Sequence, residues 1–534
     1  MSDARPGAMI GRRRFLAAAG AAAAAPAFAS VPAFAAAPAF AARADPVVAT
    51  GSGRIRGASE GGLHVFRGIR YGADPRPRRF QAPLPPAPNR DVADALHFAP
   101  SCPQRGRSGG TSEDCLFLNV WTPEAKAGGR RPVMVYIHGG AYSNGSVVDP
   151  LNDGRHLAAR GGVVVVTVNH RLNLFGYLYL ARLDPRFPDS GNAGQLDLLL
   201  ALEWVRDNIA AFGGDPGRVM VFGQSGGGAK IATMMGMPAA AGLFHRATTM
   251  SGQQVTASGP LNATARARAV LAALKASPRD LVDMPVERLL EGLDATDPIL
   301  GGGVYMGPVL DMKWLVRHPF WPDSNPQSNA IPMMLGNMHD ESRAFIDPDG
   351  PKLRGLGWDN LAERIAPELR VDICPEWVVD QYRRHFPKLT PEQIFYAAIT
   401  AGRSWPGQVI EADARAAART RTWVYQVDFQ SPTQPRRGAP HTMDIALSFG
   451  TLDAPGSFTG TGADAQKVSD RMMDMFVAFA RTGDPNASGL PHWPLYSLPR
   501  RATMIFDVET RALDDPRRWE RELFARVPYI QPGS

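Results

Sequence analysis

The stretch VMVFGQSGGGAKIATMM, Val219–Met235, restricts the fold more than any other in the chain. Its first residues are apolar without polar alternation, as in a strand buried on both faces. A few glycines later it becomes AKIATMM, which reads as the start of an apolar helix. A strand that runs straight into a helix belongs to a parallel sheet with crossover helices, because parallel neighbours cannot be joined by a tight hairpin. The same alternation recurs along the chain. PVMVYI (Pro132–Ile137) and GVVVVTVNHR are buried strands, and NAGQLDLLLALEWVRDNIAAF places Leu196, Leu199, Leu200, Trp204 and Ile209 at helical spacing. Later strands are IPMMLGN, TWVYQVDF and ATMIFD. DAQKVSDRMMDMFVAFARTG reads as the last helix, stopped by Gly483 and then Pro485. Ahead of them, VVATGSGRIRGASEGGLHVFRGIRYG alternates short strands with glycine turns, as β-hairpins do. The expected fold is α/β, with a large, mostly parallel central sheet flanked by helices and N-terminal β-hairpins. No repeat or linker divides residues 45–534, which are expected to form one domain.

The glycine-rich turn contains G-x-S-x-G, but the chain has this pattern three times, around Ser59, Ser108 and Ser225. GASEG lies among the hairpins and reads as a turn; GRSGG lies in a polar loop between Cys102 and Cys115. Only Ser225 follows a buried strand and precedes an apolar helix, the setting that lifts a serine oxygen clear of a sheet beside a helix N-terminus. Gly223 and Gly227 let strand and helix pack closely there. A phosphate loop is excluded, because Lys230 is followed by Ile231 rather than by serine or threonine.

A serine nucleophile needs a base, and sites in such sheets form beyond the C-terminal ends of strands. His441 follows the strand TWVYQVDF and its loop, whereas His492 precedes the last strand and reads as packing. The loop MHDES after IPMMLGN offers Glu341 or Asp340 to orient the imidazole. The glycines of IHGGAY allow the N–H groups of Gly140 and Ala141, with that of Gly226, to meet an oxyanion.

The net charge is +7 at a pI of about 9.4, but the arginines are scattered and no nucleic-acid motif accompanies them, so no nucleic-acid partner is expected. Arg12 and Arg13, then Phe15, Leu16 and an alanine-rich run resemble a twin-arginine export signal over residues 1–44, with the mature chain starting near Asp45. Pro26, Pro32 and Pro38 count against a lasting membrane span in that run. Cys374 is expected as a small buried apolar residue, and no cysteine or histidine spacing suggests a metal site.

Taken in order, FRGIRYG, SEDCLFLNVWTP, YIHGGAY, NHRLNLFGYL, GNAGQLD, ALEWVRDNIAAFGGDPGRV, FGQSGGGAK, GNMHDES, HTMDIALSFG, FARTGDPN and HWPLY resemble the type-B carboxylesterases across nearly the whole mature chain. The resemblance implies an α/β-hydrolase fold with helical insertions and hydrolysis of a small-molecule carboxylic ester through an acyl-enzyme, without a cofactor. It implies Glu341 rather than Asp340 as the acid of a triad with Ser225 and His441, and Ser251 as a partner of that acid. It also implies a Cys102–Cys115 disulfide and buried ion pairs Arg79–Glu113 and Arg171–Asp197. Two positions depart from the family: Gln224 replaces a common glutamate before the serine, and Gly226 a common alanine after it. The Cys102–Cys115 loop has no tryptophan, which counts against a choline ester. An amide, carbamate or lactone substrate and a non-catalytic binding protein are the alternatives, and the oligomeric state is left open. Trp314, Phe320 and Trp321 are expected in the core rather than in an acyl pocket.

Overall fold

Valine-rich runs with no polar alternation can satisfy their backbone only inside a sheet covered on both faces. The computed structural model describes residues 45–106, 110–403 and 405–533 and places these runs at the sheet's centre. The strands are β1 Val47–Thr50, β2 Gly53–Arg56, β3 Ala58–Glu60, β4 Leu63–Arg70, β5 Val92–Asp94, β6 Phe117–Thr122 and β7 Arg131–Ile137. They continue with β8 Val164–Val168, β9 Gly214–Gln224, β10 Arg246–Met250, β11 Met333–Met338, β12 Thr422–Val427, β13 Ala502–Phe506 and β14 Arg511–Asp514. The main sheet has the order β14-β13-β12-β11-β10-β9-β7-β8-β6-β4-β3. Its centre, from β13 to β8, is parallel; β14 on one side and β6, β4 and β3 on the other are antiparallel. A small second sheet joins β1, β2 and β5.

Period-two alternation divides the core between the two faces. Val133, Val135 and Ile137 of β7 pack into one apolar cluster, and Met134 and Tyr136 into the other. The helix Ala193–Asn208 crosses over between β8 and β9, and Gly226–Met234 between β9 and β10. Helices Pro375–His385 and Pro391–Arg403, inserted between β11 and β12, join the C-terminal helix Arg518–Phe524 in a third cluster around Val378, Tyr382, Ile394, Phe395 and Phe524.

Several expectations change in detail. GASEG is mostly strand: Ala58–Glu60 pairs with β4, and the turn falls at Gly61 and Gly62. Ala463–Thr482 does end at Gly483, whose φ of 72° needs a residue without a Cβ penalty, but it is not the last helix, since Arg518–Phe524 follows. Ser108 and the export signal lie outside the described residues. No helix among the described residues is long and apolar enough to cross a membrane.

Candidate active site

The parallel register lines up the C-terminal ends of five neighbouring strands, and a residue after each of them stands in or directly behind one cavity. After β12 comes His441, after β11 Glu341, after β10 Ser251, after β9 Ser225, and after β7 the loop with Gly140 and Ala141. The cavity is about 700 Å³, and Ser225, His441, Gly140, Ala141 and Gly226 all line it. Ser59 lies far off on β3, on the sheet's edge.

Ser225 sits at φ 55° and ψ −124°, a strained turn for a residue with a Cβ, directly between β9 and the helix Gly226–Met234. The turn is possible because Gly227 has no side chain: a Cβ there would collide with the carbonyl of Ile137. His441 is buried, and its Nδ1 makes a short hydrogen bond to Glu341 Oε2. Glu341 Oε1 accepts from the Met338 N–H at 2.8 Å. Asp340, the other acid of the loop, instead faces His339 and Arg343 and accepts from the Ala439 N–H at 3.0 Å. Geometry thus separates two neighbours that the loop's sequence alone does not. Asp444 stands behind the pair; burial first, then the Glu341 charge, pushes its carboxyl up to about 7.

Gly140 and Ala141 both have positive φ, 88° and 50°. The Gly140 carbonyl is tied down by the N–H groups of Ser143 and Asn144, each at 3.1 Å. Among the described residues no acceptor meets the N–H groups of Gly140, Ala141 or Gly226. Three free donors at the mouth of a buried helix form an anion-binding corner.

Residues 44–521 match the family model described as the carboxylesterase family. The chain belongs to the carboxylesterase family. It is 33% identical to the para-nitrobenzyl esterase of Bacillus subtilis, over 89% of this chain and 98% of that one. It is 32% identical to the fumonisin B1 esterase of Sphingopyxis macrogoltabida, over 84% of each. A crystal structure of a carboxylesterase of Geobacillus stearothermophilus superposes with a TM-score of 0.81 at 36% identity, covering 90% of this chain and 99% of that one. This carboxylesterase therefore has the α/β-hydrolase fold and is a serine hydrolase of carboxylic esters.

The departures around Ser225 acquire physical content in this carboxylesterase. The side-chain amide of Gln224 reaches His441 Nε2 at 3.2 Å, on the ring edge that a serine base uses, and no hydrogen bond joins Ser225 Oγ to that ring among the described residues. Gly226 fits against the Gly140–Ala141 loop because it lacks a side chain: a Cβ would collide with the Ala141 carbonyl. That same carbonyl accepts at 2.7 Å from the ammonium of Lys230, one turn along the helix. Lys230 is fully buried, has no carboxylate partner among the described residues and lies 5.2 Å from the centre of the Tyr142 ring; burial lowers its pKa to about 7. Sequence reading used Lys230 only to reject a phosphate loop. The available signal was a lone lysine in an otherwise apolar helix.

Other expectations divide. The ion pairs Arg79–Glu113, at 2.5 Å, and Arg171–Asp197, at 2.6 Å, are both formed and buried. Ser251, expected as a partner of the acid, makes no hydrogen bond to Glu341: its Oγ is buried without a partner among the described residues, its φ is 51°, and the residue lines the cavity. Cys102 and Cys115 are both buried and lie side by side as thiols, unbridged in this structure, and the hydrogen bond to Cys102 is the first cause that raises the Cys115 pKa. Cys374 is exposed, not buried, and its Sγ bonds Glu376 Oε2 at 3.1 Å at the start of a helix. His492 is exposed. Phe320 is in the core, but Trp321 is largely exposed; the aromatic lining of the cavity comes from Tyr142, Tyr305, Phe345 and Tyr529.

Proposed function

We propose that Ser225, His441 and Glu341 form the catalytic triad for hydrolysis of carboxylic esters. The single supporting observation is the strained turn at Ser225, facing the cavity beside an imidazole whose far nitrogen is held by Glu341. In the resting arrangement Gln224 occupies His441 Nε2. As an ester binds, Ser225 Oγ takes that place and attacks the carbonyl carbon, while Nε2 accepts its proton. Glu341 fixes the ring and offsets the imidazolium charge. The tetrahedral oxyanion accepts hydrogen bonds from the N–H groups of Gly140, Ala141 and Gly226. Nε2 then protonates the leaving alcohol, and water attacks the acyl-enzyme by the same route.

Ser225→Ala should lower kcat on a short-chain nitrophenyl ester by about 10⁴-fold or more, with the fold intact by circular dichroism. A fluorophosphonate probe should label Ser225 in the parent protein. Retained activity in the variant, or absence of labelling, would refute the assignment and favour a non-catalytic binder on this fold.

We also infer that residues 1–44 direct twin-arginine export, and that Cys102 and Cys115 oxidise to a disulfide in the receiving compartment. Neighbouring buried thiols support the pairing, and an oxidising compartment supports the bond. Replacing Arg12 and Arg13 by lysine should leave the protein in the cytoplasmic fraction; normal export of that variant would overturn the signal.

A further inference from the structure

The chemistry at Ser225 makes no use of two arginines on the wall of the same cavity. Arg370 and Arg403 line it, and among the described residues no aspartate or glutamate does. Position 224, where the resemblance leads one to expect a glutamate, is Gln224. The cavity is therefore a cationic pocket without a resident counter-charge on its surface.

Both arginines are fixed by the helical insertion, Arg370 with help from the C-terminal segment. Arg403 ends the helix Pro391–Arg403 and lies 5.1 Å from the centre of the Phe345 ring, which in turn packs 4.9 Å from the His441 ring. One aromatic side chain thus separates its guanidinium from the imidazole. Arg370 is clamped through its backbone: its N–H donates to Gly402 at 2.9 Å, and its carbonyl accepts from Ile530 at 2.7 Å. Its guanidinium forms no ion pair among the described residues, and its buried Nε has no hydrogen-bond partner.

The nearby charges do not balance. Glu368 is shared between Lys352 and Arg403, at 3.2 Å from the latter. Arg370 adds a third cation, and burial, followed by its charge, lowers the Arg403 pKa. Tyr305 and Tyr529 stand on the same wall. Guanidinium groups with unused donors in a partly dry wall match the planar fork of a carboxylate.

We propose that Arg370 and Arg403 form a carboxylate subsite, so that the favoured substrates are esters carrying a free carboxylate remote from the scissile bond. The proposal rests on Ser225 as nucleophile. The arginines determine specificity and take no part in bond breaking. A purely structural role would affect charged and neutral esters alike, so the ratio of the two is the discriminating quantity.

The test compares kcat/KM within matched pairs: monomethyl adipate against methyl hexanoate for the acyl side, and 4-acetoxybenzoate against 4-acetoxybenzamide for the alcohol side. In the parent protein at low salt, the carboxylate member of at least one pair should be favoured by about tenfold or more, with the advantage shrinking at high salt. Arg370→Gln and Arg403→Gln should each cut that ratio by about tenfold, with partial recovery in the lysine variants. Equal rates, or a preference for the neutral member in both pairs, would overturn the proposal, as would an unchanged ratio in both glutamine variants. Where a glutamine variant fails to fold, inhibition of the parent protein decides: benzoate should compete with a neutral ester at lower concentration than benzamide, and equal potency counts against the subsite. Failure of the nucleophile reading would look different, as no turnover of either member of any pair. In that event calorimetric titration with adipate tests the subsite alone, and no heat of binding would reject it.

Discussion

Lys230 shows how one buried charge can trade stability for a site. Its ammonium meets the Ala141 carbonyl at 2.7 Å, and its pKa falls to about 7 through burial. Between that value and the ordinary lysine value the unfolded chain binds more protons than the folded one, so stability rises with pH across the window. The cost is greatest at and below pH 7, where it amounts to about 4 kcal/mol, and is about 2 kcal/mol at pH 9. Lys230→Met should thus raise Tm at neutral pH, after allowance for about 1–3 kcal/mol lost by leaving the Ala141 carbonyl unpaired. The stability difference from the parent should shrink by about 2 kcal/mol from pH 7 to pH 9 in urea titrations; a pH-independent difference would mean that Lys230 is not desolvated. Gly226→Ala acts on the same peptide from the other side. Pushing Ala141 away misaligns the oxyanion donors, so kcat should fall by about 10–100-fold with KM little changed. Combined with Lys230→Met, the loss should be less than additive, because both changes release one peptide.

The elements were unevenly legible. Strands β7, β8, β9, β11, β12 and β13 were readable because they are dominated by apolar and aromatic residues and buried on both faces. Strand β10 was not, since its RATTM carries an arginine and two threonines. Thr248 and Thr249 are nonetheless buried, held between β9 and β11 by backbone pairing that no local pattern reveals. The turn after β8 is fixed to the crossover helix Ala193–Asn208 by Arg171 and Asp197, which are 3% and 0% exposed. Arg171→Met would leave a buried carboxylate unpaired, at a cost of about 3–5 kcal/mol in urea unfolding. A loss below 1 kcal/mol would show that water reaches Asp197.

At the scale of the whole molecule, the site draws on residues from Gly140 to Pro532, yet all of them belong to one compact unit, Ala44–Ser534. A chain starting at Asp45 should therefore fold and keep its kcat on a nitrophenyl ester, as checked by circular dichroism and rate assay; an inactive or unfolded truncation would tie the first residues to the fold. If the proposed Cys102–Cys115 bridge forms, adding a reductant to the exported protein should lower its stability by about 3 kcal/mol.

The sequence by itself determined what depends on neighbours along the chain: the strand–turn–helix at Ser225, the glycines of the oxyanion loop, and the order Ser225, Glu341, His441. Tertiary structure brought Glu341 rather than Asp340 against the imidazole, in line with the family resemblance, left the Ser251 hydroxyl without a hydrogen bond to the acid, and set the Lys230 ammonium on the Ala141 carbonyl and Arg370 on the cavity wall. Those outcomes depend on where carbonyls and guanidinium groups from distant segments meet. Periodicity encodes which face is buried, but not which polar group waits on the other side.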